Sequence, residues 1–322
     1  MATIHGFSFG AFVVETAFLG KIAAFALGDG TVRLVDGAAS NEVKVHGGAI
    51  LTAVAGRDGG LLTGGDDGVV ATIDAKGQVK RLAERPKKWI DSVASGPGGA
   101  VAFGVGKQAV VRFADGRERA FDHERAVGGL AFAPKGLRLA VAGYNGAVLY
   151  WVGTDAAPVK LTWAGAHIAA LFSPDGRYLM TAMQENALHG WRLEDAQDMR
   201  MSGYTAKPRS FGWSAKGRYL ASSGANAAIL WPFLTKDGPV NKRPLDLGAR
   251  DVLVTRVACH PREDLVAIGY RDGMIQIARF ADRQEARLRQ GGEEPISALA
   301  FDATGARLAF GTEDGAAGVI EL

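Results

Sequence analysis

Cysteine is nearly missing from this sequence: Cys259 stands alone among 322 residues. A lone thiol excludes an intramolecular disulfide framework and fits a reducing compartment. Charge of one sign is lacking as well, since 37 Lys and Arg face 34 Asp and Glu for a net charge of +3. That balance carries no nucleic-acid footprint, and the basic groups at Arg81 to Lys88 and Arg287 to Arg289 read as solvated loop faces. No apolar run qualifies as a leader or a membrane span: MATIHGFSFGAFVVETAFLG has no Lys or Arg before Lys21 and carries Glu15 in its apolar part. The expectation is a cytoplasmic protein that engages neither nucleic acid nor membrane. Sustained helical periodicity is the last absence, and it turns attention to β structure.

Glycine, by contrast, is plentiful: 44 residues spread along the chain, which suits many tight turns better than disorder. The turns recur. FAPKGLRLAVA, LFSPDGRYLMTA, WSAKGRYLASS and FDATGARLAFG each place an aromatic before a glycine-centred turn and an alternating run. Trp151, Trp191 and Trp231 are spaced forty residues apart, and six residues before them lie Asn145, Glu185 and Ala225. The same offset finds weaker copies at Asp29, Asp67, Lys107, Asp272 and Asp314, which makes eight units. Asp-Gly and Asn-Gly turns between β-compatible runs are strong hairpin signals. A polar run such as EVKVHG or QEARLRQ follows most units, as an outer, solvent-facing strand would. Each repeat therefore reads as three inner strands and one outer strand.

A repeat of about forty residues with four antiparallel strands resembles the WD-repeat β-propeller family, in a stand-alone form with degenerate repeats. The features that carry the resemblance are the aromatic-plus-turn of LFSPDGRYL, the Asp-Gly turns, the Trp closing the third strand, and a His ahead of several repeats: His46, His123 and His167. The resemblance implies an all-β fold, one closed propeller domain over residues 1–322. Eight blades are expected, with seven as the alternative, and the N-terminal strand at about residues 2–10 completes the last blade. It also implies a buried network of His, Ser or Thr, turn Asp and Trp. Repeat five comes nearest with His167, Thr181, Glu185 and Trp191, where Glu replaces Asp; repeat two offers His46, Thr63 and Asp67 but ends in Ile73.

Catalytic constellations are thin. Cys259 and His260 are sequence neighbours near a strand end, where successive side chains diverge, so they do not make a nucleophile and base pair. No His or Cys spacing suits a metal, the glycine strings GRDGG and GVGKQ open no helix, and the acidic pairs of GGDDG and GGEEP fall in turns. No catalytic residue, cofactor or metal ligand is assigned. What remains is surface. The resemblance implies that two positions per repeat face a common binding mouth: the residue before the turn Asp, giving Asp66, Tyr144, Gln184, Arg271 and Glu313, and the start of the first strand, giving Asp91, Arg209 and Arg256 with Trp89 alongside. Trp, Tyr and Arg are the residues of interface hot spots.

The leading expectation is a non-enzymatic scaffold, monomeric by itself, that binds a peptide or partner protein on one face. Two alternatives belong to other classes. One is a propeller enzyme, which would need His167, His189 or Asp91 to converge in a channel; the other is an accessory, chaperone-like factor for a metal protein.

Overall fold

The computed structural model describes residues 3–292 and 294–322. Ala2, at the start of the expected closing strand, and Glu293, in the GGEEP turn, lie outside the described residues. The chain forms two compact units: residues 1–27, 33–41 and 201–322 make the first, and residues 28–32 and 42–200 the second.

In the second unit, the strands Ile50–Ala55, Leu61–Gly65, Val69–Ile73 and Val79–Glu84 form one antiparallel sheet. Val93–Ser95, Val101–Val105, Gln108–Arg112 and Glu118–Asp122 form the next. The inner strand Val101–Val105 shows why these repeats read as continuous apolar runs. Phe103 points into a cluster with Leu62, Val70 and Ile90 of the preceding repeat. Its neighbour Ala102 points the other way, to Leu139 and Val141 of the following repeat. Alternate side chains thus serve opposite neighbours, and neither face is left for water. Full burial of a side chain such as Phe103 stabilises by roughly 1.5–3 kcal/mol. The outer strand Val79–Glu84, VKRLAE, is mostly exposed, as its polar composition requires.

In the first unit, Val254–Cys259, Leu265–Tyr270, Ile275–Arg279 and Glu285–Arg289 repeat the plan, and Val266, Ile268 and Tyr270 pack against Leu230 and Leu247. The sheet of Ile296–Phe301, Arg307–Thr312 and Ala316–Glu321 takes its fourth strand from the start of the chain. Thr3–Ser8 pairs antiparallel with Ala316–Glu321, from Thr3 opposite Glu321 to Ser8 opposite Ala316. Phe7 and Phe9 then cover Phe25, with the Phe9 and Phe25 ring centroids 5.4 Å apart.

The blade count needs correction. Among the described residues the strands form seven hydrogen-bonded sheets, six of four strands and one of six, so eight separate blades give way to the alternative count of seven. The reason lies between repeats four and five. Val159–Phe172 runs through both as one strand of 14 residues. Tyr144 pairs with Ala166 on one side, and the Gln184 N–H donates to the Ala166 carbonyl at 2.9 Å on the other, so the two repeats are joined into one sheet. Within that sheet the long strand Arg138–Trp151 doubles back at Asn145 (φ 67°) and Gly146 (φ 131°), and the Val152 N–H donates to the Leu137 carbonyl at 2.9 Å.

Candidate partner-binding face

Five of the sequence-derived face residues lie in the second unit. Trp89 sits in the connection between two sheets, and its exposure follows from how that connection is tied down. The Arg85 N–H donates to the Gly68 carbonyl at 2.8 Å, the Lys88 N–H to the Arg85 carbonyl at 3.1 Å, and the Ile90 N–H to the Gly65 carbonyl at 3.0 Å. Gly68 (φ 80°) is required there, because a Cβ would stand 2.1 Å from the Arg85 carbonyl oxygen. Ile90 is drawn wholly into the core, which turns Trp89 outward at 69% exposure. Tyr144, at the hairpin tip, is 60% exposed. Gln184 is exposed too, held only through its backbone. Asp66 has a structural duty: its Oδ1 accepts the Ala49 N–H at 2.8 Å. Asp91 is an exposed residue whose carboxyl is partly desolvated, which raises its pKa.

The other four lie in the first unit. Arg209, Arg271 and Glu313 are exposed. Arg256 is half-buried and is a different kind of group: its Nε donates to the Ser297 carbonyl and its Nη1 to the Thr255 carbonyl. Desolvation lowers its pKa, Glu15 and Glu313 oppose that, and Arg209 adds to it.

Glu15 is the residue that sequence reading missed. Burial raises its pKa, against the pull of Arg256 and the Thr16 N–H. Its position was recoverable. The first strands carry a bulge near their start, between Val13 and Glu15 in repeat one and between Val254 and Arg256 in repeat seven, so Glu15 and Arg256 occupy the same place in their repeats. The pairing is of mixed sign, and among the described residues no group of three or more His, Cys, Asp or Glu is arranged to hold a metal.

The polar networks differ from the expectation for repeat five. His167 Nδ1 lies 2.8 Å from Thr181 Oγ1, but its Nε2 donates to the Trp163 carbonyl at 3.1 Å. Glu185 instead accepts the Ala166 N–H at 3.0 Å, and Trp191 is buried with its ring 5.6 Å from that of His167. Repeat two joins its three polar members, without a Trp: His46 Nδ1–H donates to Asp67 Oδ1 at 3.0 Å and Nε2 lies 2.8 Å from Thr63 Oγ1. Repeat six substitutes a phenol, with Trp231 Nε1 donating to Tyr204 Oη at 2.6 Å and Ser222 Oγ 2.6 Å from the same oxygen. Tyr in the histidine place left no signal in the His pattern. His189 is fully buried, so it has no access to a substrate. Desolvation pushes the Cys259 thiol up to about 12, and the neighbouring His260 Nδ1 accepts the Arg262 and Glu263 N–H groups, so these two form no catalytic pair.

No family model matches the sequence. WD repeat-containing protein 55 from Rattus norvegicus is 24% identical over 200 residues, 60% of this chain and 51% of that protein, so the chain spans about half the length of the curated relative it matches. The WD40 repeats of RRP9 superpose with a TM-score of 0.65 at 18% identity, over 87% of this chain and 96% of that one. The chain has the β-propeller fold of these WD-repeat proteins. The computationally designed Ika8 protein is similar in fold as well, with a TM-score of 0.78 at 18% identity over 98% of each chain. In this propeller the repeats are held by apolar packing, with polar networks that differ from repeat to repeat. Among its described residues, no helix is long and apolar enough to cross a membrane.

Proposed function

We propose that this propeller is a non-enzymatic scaffold that binds a peptide segment or partner protein through its exposed strand connections. The observation that carries the reading is Trp89: a large aromatic at 69% exposure, held outward by a hydrogen-bonded loop. An aromatic so placed costs apolar exposure in the free protein and regains it when a partner covers the ring. Tyr144, Arg209 and Arg271 are also exposed and have no side-chain partner among the described residues, which leaves them available to a ligand. The lone, desolvated Cys259 supports a reducing cytoplasm as the place of action. The free protein is proposed to be a monomer.

The test compares affinity capture by wild type and by the triple variant Trp89→Ala, Arg209→Ala, Arg271→Ala. Partners that wild type retains and the variant loses by about ten-fold or more support the assignment. Equal recovery of the same partners would overturn it.

A further inference from the structure

A cleft of the second unit lies beside the hairpin of repeat four, with a volume of about 530 Å³, within the range of roughly 300–1,000 Å³ that ligand sites occupy. Its wall is aromatic: Tyr144, Tyr150 and His123, with Pro158 at the margin. Tyr150 is fixed by Phe121, ring centroids 4.2 Å apart, and meets the His123 ring edge-on at 5.7 Å. Burial holds the His123 pKa below its ordinary value against the opposing influence of Asp122, so the ring is neutral at pH 7.

Three properties narrow the ligand. The charged lining is balanced, Asp122 and Glu124 against Arg125 and Lys160, so neither a polyanion nor a polycation is favoured. The backbone around the cleft is already committed: the His123 N–H donates to Lys107, Val127 to Gly106 and Gly128 to Ala142, and Gly146 and Ala147 are paired with Thr162 and Leu161. A β-strand peptide would find these groups already taken. The free hydrogen-bonding groups on the wall include several side-chain donors. Among the described residues the Tyr144 and Thr162 hydroxyls and the Arg125 and Lys160 cations have no partner.

We propose that this cleft docks an extended, proline-containing segment of a partner in the polyproline II conformation. Such a chain makes no internal hydrogen bonds, presents carbonyls that need donors, and offers prolyl rings that stack on Tyr and His faces. The proposal rests on the scaffold reading and gives its partner a chemistry.

The experiment measures anisotropy of fluorescein-labelled decaproline against a labelled (Gly-Ser)5 peptide of equal length, with the 322-residue chain. Decaproline is expected to bind wild type about ten-fold tighter than the Gly-Ser peptide. Tyr144→Ala, at an exposed tip, is expected to keep the wild-type circular dichroism spectrum and to weaken decaproline at least about five-fold. Thr162→Val, which removes only the hydroxyl, should weaken it too, while Lys216→Ala, at an exposed residue outside the cleft lining, should leave it within about two-fold. No decaproline binding, equal binding of the two peptides, or a loss below about five-fold in Tyr144→Ala would overturn the proposal. Partner capture by the Trp89, Arg209 and Arg271 variant is read separately, so one assignment can fail while the other stands.

Discussion

His46 and Asp67 are bonded at 3.0 Å between Nδ1 and Oδ1, across 21 residues of sequence, with the His46 ring fully enclosed. Burial alone would raise the Asp67 pKa, but bonds from His46 and from the Val69 and Gly47 N–H groups outweigh it and the pKa is lowered below 3.8. A carboxylate with a depressed folded pKa contributes stability above its unfolded pKa, and loses it as pH falls through the folded value. His46→Ala is expected to cost about 1–3 kcal/mol at pH 7 in denaturant unfolding. The variant should also lose less further stability than wild type below about pH 4. An unchanged midpoint would show that apolar packing alone holds repeat two.

His189 makes the opposite case. Burial, then His167 and Arg200, lower its pKa to about 3, and neither ring nitrogen has a hydrogen-bond partner among the described residues. An unfolded chain binds this proton near pH 6.5 and the folded one does not until about 3, so stability drains as pH falls across that window. Its ring stacks on Trp163 at 4.1 Å and meets Trp191 at 4.7 Å. His189→Phe keeps the aromatic contacts and removes the unsatisfied nitrogens. It should be neutral to stabilising at pH 7 and move the acid-unfolding midpoint to lower pH; a midpoint that stays put would show that His189 is not the group being titrated.

Tyr204 joins Trp231 to Ser222 in repeat six, and its pKa is pushed up to about 12 by burial, with the two bonded side chains opposing. Tyr204→Phe strands the indole N–H and should cost about 1–3 kcal/mol. A phenol with a raised folded pKa supports the fold below its unfolded value of 10.0 and loses that support as pH rises toward 12. Stability curves between pH 9 and 12 should therefore be shallower in the variant than in wild type, and parallel curves would remove Tyr204 from the account.

The N-terminal strand is open to a direct test. Residues 3–8 supply every backbone partner on one edge of Ala316–Glu321, and Phe9 stacks near Phe25 under the Arg33 guanidinium, 5.5 Å from the ring centroid. Removal of residues 1–10 would leave that inner strand as a bare edge. Calorimetry should show a lower and broader transition, and Phe9→Ala a smaller drop of about 1–3 kcal/mol. A superimposable melting curve for the truncated chain would rule out the strand's structural role.

Much of the fold was legible because the signals are local. An aromatic, a glycine-centred turn just after it and an alternating run each act within one hairpin, so LFSPDGRYL and WSAKGRYL announce their turns without reference to anything distant. The start of the chain was legible by subtraction, since the final repeat lacks an outer strand and Thr3–Ser8 supplies it. Exposure of Trp89 and Tyr144 followed from their place in the repeat, whereas Asp66 and Arg256 occupied equivalent places and spend their side chains on backbone groups.

By itself, then, the sequence determined the β character, the forty-residue period, the turn chemistry and the absence of a metal-ligand pattern, all of which depend on spacing along the chain. Tertiary structure alone decided that repeats four and five share one sheet through Ala166, that the His network closes at His46 rather than His167, and that Tyr204 takes a histidine's place. It also brought Glu15 under the influence of Arg256. The physical reason is common to these cases. A buried donor or charge is settled by whichever partner the packed neighbours bring within about 3 Å, and that choice is made in space, between residues that the sequence keeps far apart.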